Sequence, residues 1–407
     1  MNISNVHNCY GCGLCAIVCS REIIEIELNA DGFYEPVIKD ISRCTDCNLC
    51  VDVCSYLHDG LALRNAKLKS YGAWSKDSAV RRKCSSGGVG FELGSTFIKK
   101  GYKVCGVRYN AEKNQAEHYI ATTIEELIPS IGSKYIQSYT VDGFRKIKRK
   151  EKYLITGTPC QIDSFRRYIQ KFKVEDNFIL MDFFCHGVPS KLMWNKYAKE
   201  VEKKIGKITY VSWRNKFAGW HDSWAISMDG EKADIKINRH ESYNSLIGER
   251  EGSYNSRFSQ GDVFYRLFLG DTCLGKACYS KCKFKYDRSS ADIRIGDSWG
   301  RYYNDNDEGV SSVITFSEKG DALLRQCDIT LEELPFEILA EGQMKHSPNR
   351  PFLFYNVISN LLRNDCVEMA ELIKWSSFLN SYNKIKRRLM NPHKTIKNIF
   401  RKFSGKK

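Results

Sequence analysis

Eight cysteines in the first 54 residues repeat one spacing twice, as Cys9-x2-Cys12-x2-Cys15-x3-Cys19 and Cys44-x2-Cys47-x2-Cys50-x3-Cys54. Thiolates this close in sequence wrap one iron–sulfur cube from a tight loop, and the fourth cysteine of each run reaches across to the other cube. The spacing assigns Cys9, Cys12, Cys15 and Cys54 to one [4Fe–4S] cluster and Cys44, Cys47, Cys50 and Cys19 to a second. Zinc also uses Cys-x2-Cys pairs, but four thiolates complete a zinc site, which gives the third cysteine of each run no role. Disulfides fit less well, because a chain that commits its cysteines to clusters belongs in a reducing compartment. Ser20 and Ser55 stand where a proline often follows the fourth cysteine.

Positioning these thiols requires a compact frame. Residues 23–28, the turn Asn29-Ala30-Asp31-Gly32 and residues 33–38 read as a hairpin between the runs. That layout is similar to a bacterial-type two-cluster ferredoxin. At 407 residues the chain has room for two or three domains. The expected organisation is a ferredoxin domain over 1–62, an α/β domain over 63–320, a helical region over 321–380 and a basic tail over 381–407. No apolar run reaches the roughly 18–20 residues of a membrane span, and residues 1–6 carry no signal-peptide pattern. A soluble, cytoplasmic protein is expected. The net charge of +15 is concentrated in the tail, which holds ten basic residues and no acidic one, interleaved with Ile385, Leu389, Ile396, Ile399, Phe400 and Phe403. Such a segment suits an anionic membrane surface, and a frayed, solvated terminus is the alternative. Nucleic acid is not expected as a partner, since no recognition motif accompanies the charge.

After residue 60 strand-like and helix-like pieces alternate. Strands are predicted over 103–109, 153–155 and 178–183, with helices over 89–99, 161–171 and, after the turn 185–190, through about 203. Strand–turn–helix repeats imply parallel pairing, with the turns opening at the carboxyl ends of the strands, where α/β folds bind ligands. Cys160 and Cys185 fall in equivalent turns of this kind. Residues 211–214 and 219–224 read as antiparallel strands and 292–297 as a further strand. The region 323–375 reads as mostly helical. Arg81-Arg82-Lys83 ahead of Cys84-Ser85-Ser86-Gly87-Gly88 places charge, hydroxyls and glycines at a helix start, which suits an anion such as a pyrophosphate; an ordinary capped turn has the same appearance.

Ser85-Ser86-Gly87-Gly88-Val89, Gly132-Ser133-Lys134-Tyr135-Ile136-Gln137-Ser138, Thr156-Gly157-Thr158-Pro159-Cys160-Gln161, Cys185-His186-Gly187-Val188-Pro189-Ser190 and Gly296-Asp297-Ser298-Trp299-Gly300 occur in this order. Behind a ferredoxin module, these motifs resemble the beta subunit of the coenzyme F-420 (deazaflavin) hydrogenases and dehydrogenases, a family whose members with this N-terminal module also occur in bacterial polysaccharide gene clusters. The resemblance implies a fold of mixed α+β and α/β character, in which a 2[4Fe–4S] ferredoxin module is fused to a flavin-binding α/β domain with a C-terminal helical region. It implies a flavoprotein, with FAD as the expected cofactor and the deazaflavin coenzyme as a weaker expectation. Ser85, Ser86, Gly87 and Gly88 would hold phosphate. Ser133, Lys134, Tyr135, Thr156, Thr158, Gln161 and Asp297 would hold the flavin or its substrate.

In relatives, cysteines near Cys273-x4-Cys278-x3-Cys282 help hold a further [4Fe–4S] cluster. The usual Cys-x2-Cys pair is missing here, and the expected set is Cys273, Cys278 and Cys282, with Cys160 or Cys185 as the fourth ligand. A free or zinc-bound Cys278–Cys282 pair is the alternative. Cys185 and His186 are the candidate catalytic residues, His186 as proton donor to a reduced substrate. The expected function is an iron–sulfur flavoprotein oxidoreductase passing electrons between its clusters, a flavin and an organic substrate. Its expected partners are a redox protein (ferredoxin, flavodoxin or a reductase) and a second copy of itself. An electron-transfer subunit with no substrate of its own is the alternative.

Overall fold

A computed structural model describes residues 2–63, 66–232 and 254–390. Much of the basic tail, from 391 to 407, lies outside the described residues.

The N-terminal segment forms a hairpin, β1 (Ile24–Leu28) against β2 (Tyr34–Ile38), with one short helix within each cysteine run, α1 (Leu14–Val18) and α2 (Leu49–Asp52). The hairpin matches the sequence expectation to within a residue. Behind it stands a nine-stranded mixed sheet. Its strands are β3 (Lys69–Ser75), β4 (Lys103–Asn110), β5 (Gln115–Ala121), β6 (Ser138–Tyr139), β7 (Tyr153–Thr156), β8 (Phe178–Phe183), β12 (Ile293–Asp297), β13 (Ser311–Thr315) and β14 (Ile329–Glu333), in the spatial order β14-β3-β13-β12-β8-β7-β4-β5-β6. The centre, β4-β7-β8-β12, is parallel, and the flanking pairs β4/β5, β12/β13, β3/β13 and β3/β14 are antiparallel. A separate three-stranded antiparallel sheet holds β9 (Ile208–Ser212), β10 (Ala225–Gly230) and β11 (Tyr254–Arg257).

The helices that matter for the site are α3 (Val89–Lys99), α4 (Pro159–Lys171), α5 (Lys191–Ile205), α6 (Val263–Leu269), α7 (Lys276–Ser280), α8 (Phe352–Arg363) and α9 (Met369–Met390). Local chemistry explains where two of them start. Thr158 and Gln161 form a capping box with Pro159 at the first turn of α4, and Ser190 caps α5.

Two sequence expectations are corrected. Residues 219–224 are not a strand: Gly219 takes a left-handed φ of +87° and Trp220 turns onto the backbone of Asp307, so the strand begins at Ala225. The region 323–375 is less than half helical, not mostly so, and Ile329–Glu333 pairs with β3 as an edge strand. The β-branched pair Ile329-Thr330 outweighs helical periodicity there.

The ferredoxin segment does not sit apart. Its Leu14, Val18, Ile23, Ile26 and Val53 share one apolar core with Ile162, Phe165 and Ile169 of α4 and Phe178 of β8. Polar contacts run across the same boundary. Thr140 Oγ1 donates to Cys12 O (2.9 Å), Ala62 N to Asp163 Oδ1 (2.7 Å) and Ser190 Oγ to Asp31 O (2.6 Å). Gly11, at φ +64°, approaches so closely that a Cβ there would lie 2.4 Å from Tyr34 O and 2.5 Å from Gln137 Nε2. Only glycine fits this contact. Among the described residues no helix is long and apolar enough to cross a membrane.

Candidate functional site

The carboxyl ends of the parallel strands β7, β8 and β12 lie side by side. The turns that follow them, Thr156–Cys160, Phe183–Pro189 and Asp297–Trp299, all enter the wall of one cavity of about 590 Å³. That is where an α/β sheet presents ligands. The start of α3 enters the same wall through Ser85, Ser86, Gly88, Val89 and Gly90, and Gly88 opens the helix at φ +87°. Ser133, Lys134, Tyr135, Thr158, Gln161, Cys160, Cys185 and His186 also line the cavity. Gly87 does not: its N–H donates to Ser311 Oγ (3.0 Å), and a Cβ would lie 2.3 Å from Ala73 O, so it fixes the loop from behind.

Several of these groups are already engaged by the protein. Ser85 Oγ accepts from Ser133 N (2.9 Å), and Ser86 Oγ donates to Val310 O (2.7 Å). Lys134 Nζ is turned onto the carbonyls of Pro129, Ser130, Ile131 and Gly132 at 2.8–3.1 Å, and burial pulls its pKa down to about 7. It fastens the 129–132 loop and is not a free cation. Thr158 N donates to Gln161 Oε1 (2.9 Å), and Gln161 Nε2 donates to Ser138 Oγ (3.1 Å). Thr156 Oγ1 donates to Cys105 O (2.9 Å). These side chains shape the wall, with their polar ends spent on the scaffold.

Asp297 is ion-paired rather than free. Arg214 Nη1 donates to Asp297 Oδ2 (2.9 Å) and to Tyr135 Oη (3.2 Å), and Trp220 Nε1 donates to Asp297 Oδ1 (3.2 Å). The fully buried Arg214 guanidinium lies 4.6 Å from the ring centroid of Trp224 and 4.8 Å from that of Trp299. Tyr135 packs on Trp224 and Phe268. Sequence reasoning missed Arg214, Trp224, Phe268 and Lys216. Lys216 Nζ donates to Arg81 O, Ser86 O and Glu308 O at 2.6–2.8 Å and clamps the serine loop, and its pKa is drawn down to about 8 by burial. The tryptophan-rich run at 220–224 was the available signal, hidden by its reading as a strand.

The thiols fall into three sets. Burial raises the pKa of Cys9, Cys15 and Cys54, and the thiols of Cys12 and of one another add to it, which puts the four within electrostatic reach of one another. Cys50 feels Cys47 and Cys19 in the same way, and Asn2 Nδ2 donates to Cys44 Sγ at 3.5 Å. The third set differs from the sequence expectation. Burial and then the thiols of Cys185 and Cys282 push Cys278 up to about 12, and Cys160 is raised by burial and then by Cys185, Cys278 and Cys12. Cys160, Cys185 and Cys278 are thus within electrostatic reach of one another, Cys282 of Cys185 and Cys278, and Cys160 of Cys12 in the first ferredoxin set. Cys273 does not join them. It is buried in the apolar core with Phe264, Phe268 and Leu274, and its charged neighbour is Asp271. Tyr279 Oη bridges Leu274 N (3.1 Å) and Asp271 O (2.5 Å), closing the turn on which Cys273 lies. Among the described residues, no three His, Cys, Asp or Glu side chains gather around a single-ion site.

Two lysines hold this region. Lys283 donates to the carbonyls of Ser55 (2.8 Å), His58 and Gly60 (3.0 Å), and Lys285 to those of Cys185 (2.5 Å) and His186 (2.9 Å). His186 Nε2 lies 2.8 Å from Asp271 Oδ1, and its ring packs against Phe268.

Two family models match the chain. Residues 8–57 match that of a 4Fe-4S dicluster domain, and residues 150–335 match that of the C-terminal region of the coenzyme F420 hydrogenase/dehydrogenase beta subunit. The coenzyme F420 hydrogenase subunit beta of Methanococcus voltae is 38% identical over 72 residues, 16% of this chain and 26% of that protein, so the match spans about a quarter of the relative's length. A chain of the F420-reducing [NiFe] hydrogenase complex from Methanosarcina barkeri, solved with xenon, aligns at 15% identity and a TM-score of 0.43, over 82% of this chain and 96% of that one.

A dicluster domain built into a mixed α/β body defines an iron–sulfur electron-transfer protein. Its 150–335 segment is similar, more narrowly, to the C-terminal region of the coenzyme F420 hydrogenase/dehydrogenase beta subunit.

Proposed function

We propose that the chain is an iron–sulfur flavoprotein oxidoreductase acting on an organic substrate. The observation that carries this reading is the single cavity whose wall contains both Cys160 and Cys185 and the glycine-opened start of α3. The donor sets fit: four thiols each at Cys9/Cys12/Cys15/Cys54, Cys44/Cys47/Cys50/Cys19 and Cys160/Cys185/Cys278/Cys282, the last assigning Cys185 to metal binding rather than to catalysis. When bound, clusters of this type pass single electrons and a flavin (FAD on the family resemblance) converts them into the pair that organic reductions require. The chain's own residues supply the rest. The start of α3 receives the flavin's phosphates, and Tyr135, Trp224 and Trp299 offer apolar faces to its rings or to the substrate. His186, held at Nε2 by Asp271, exchanges a proton through Nδ1. Cys47 is exposed, so the second ferredoxin set is the entry point for electrons from a redox partner.

Anaerobic purification with iron, sulfide and flavin quantification tests this reading. About twelve irons and one flavin per chain are expected. About eight irons would remove the third cluster, iron without flavin would leave an electron carrier, and zinc would overturn the reading.

The C-terminus supports a peripheral contact with an anionic membrane. Phe378, Tyr382, Ile385 and Leu389 are exposed on α9 at spacings of four, three and four, which places them on one face, and basic residues follow in sequence. Deleting residues 383–407 should release the protein from phosphatidylserine vesicles in a sedimentation assay. Binding that survives the deletion would refute the contact.

A further inference from the structure

The serine that replaces proline after Cys54 has a structural use. Ser55 N donates to Ser164 Oγ at 3.1 Å, and Ser164 Oγ lies 3.2 Å from Cys12 Sγ. Ser55 and Ser164 are both fully buried. A proline at 55 would have no N–H to give. A hydroxyl has a single proton and accepts through its lone pairs. As a free thiol Cys12 donates to Ser164; as a metal-bound thiolate it can only accept, and the hydroxyl proton must then turn to the sulfur. The Ser55 N–H takes one of the oxygen's lone pairs and so favours that orientation.

We propose that the Ser55–Ser164–Cys12 chain raises the reduction potential of the cluster held by Cys9, Cys12, Cys15 and Cys54, favouring inward electron flow. The proposal rests on that ligand reading. Hydrogen bonds to cluster sulfurs and solvent exposure both set the potential. Reduction adds negative charge, so a proton directed at sulfur stabilises the reduced state, while burial works against it. The inner set is the more buried: Cys15 and Cys54 are buried, whereas in the outer set Cys47 is exposed and Cys19 and Cys44 are half-buried. Without compensation the inner cluster would be the harder one to reduce, and electrons would stall at the outer one. The hydroxyl supplies the compensation where the next transfer begins. Ser164 lies one turn of α4 from Cys160, so a single helix face carries both the tuning group and a thiol of the third set.

The test is an EPR-monitored redox titration of the full chain, purified anaerobically with its clusters. Ser164→Ala should retain the wild-type iron content and lower the inner cluster's potential by an amount equivalent to about a tenfold shift in electron distribution, 59 mV for a one-electron couple. The outer potential should stay in place, and proton ENDOR of the reduced inner cluster should lose one exchangeable coupling. An unchanged inner potential at full iron content would overturn the proposal. If Ser164→Ala does not assemble its clusters, Ser55→Pro decides with the same two readouts, since it keeps the hydroxyl but releases its orientation: a lowered inner potential supports the proposal, and an unchanged one refutes it. Wild-type protein with fewer than eight irons would fail the ligand reading itself, separately from the tuning.

Discussion

Cys278→Ala and Cys160→Ala should each lower bound iron from about twelve to about eight per chain, while Cys273→Ala leaves it unchanged. Cys160 arrives from the start of α4 and Cys185 from the end of β8, and Cys278 and Cys282 come from α7 and the loop behind it. Their thiols raise one another's pKa, whereas Cys273 faces a core of phenylalanines. Alanine is the informative replacement, because serine could still offer an oxygen to the metal. Cys273→Ala removes a buried sulfur and should cost about 1–2 kcal/mol of stability without touching iron. Iron lost on Cys273→Ala and kept on Cys160→Ala would reverse the assignment.

Arg214→Ala should destabilise the fold by about 3–5 kcal/mol and abolish flavin retention, because truncating one partner of a buried ion pair leaves the other charge uncompensated. Arg214 is completely enclosed, and its departure would also strip Tyr135, Ser223, Trp224 and Trp299 of a shared neighbour. Arg214→Lys should recover little, since an ammonium cannot span Asp297, Tyr135 and the Ser223 carbonyl at once. Asp297→Asn keeps an acceptor for Trp220 and should be milder. Denaturant midpoints and flavin absorbance per chain measure both effects. An Arg214→Ala protein with an unchanged midpoint and full flavin would show that the cavity does not depend on this pair.

The ferredoxin thiols were legible because their geometry is local: ligands two and three residues apart leave the chain few ways to arrange them. The parallel centre was legible for a similar reason, since strand–turn–helix units constrain pairing and place Cys160 and Cys185 at neighbouring strand ends. What escaped was non-local. Cys273 was grouped with Cys278 by sequence proximity, and a sequence does not show that Cys273 will be buried beside Phe264 and Phe268. Lys134 and Asp297 looked like free charges because a sequence does not reveal that four carbonyls or a buried arginine will claim them. Arg214 carried no motif at all. Its importance comes from the loop joining β9 to β10, which folds against the end of β12.

The core shared between the first 57 residues and α4 also bears on biogenesis. The cysteine runs leave the ribosome first, but the helix that covers them ends at Lys171, about 110 residues later. At about 5–20 residues per second, the nascent ferredoxin would wait roughly 6–23 s with its thiols and the apolar face that meets α4 open to solvent. That interval gives cluster-loading factors access to the sites, and it exposes the thiols to oxidants over the same period.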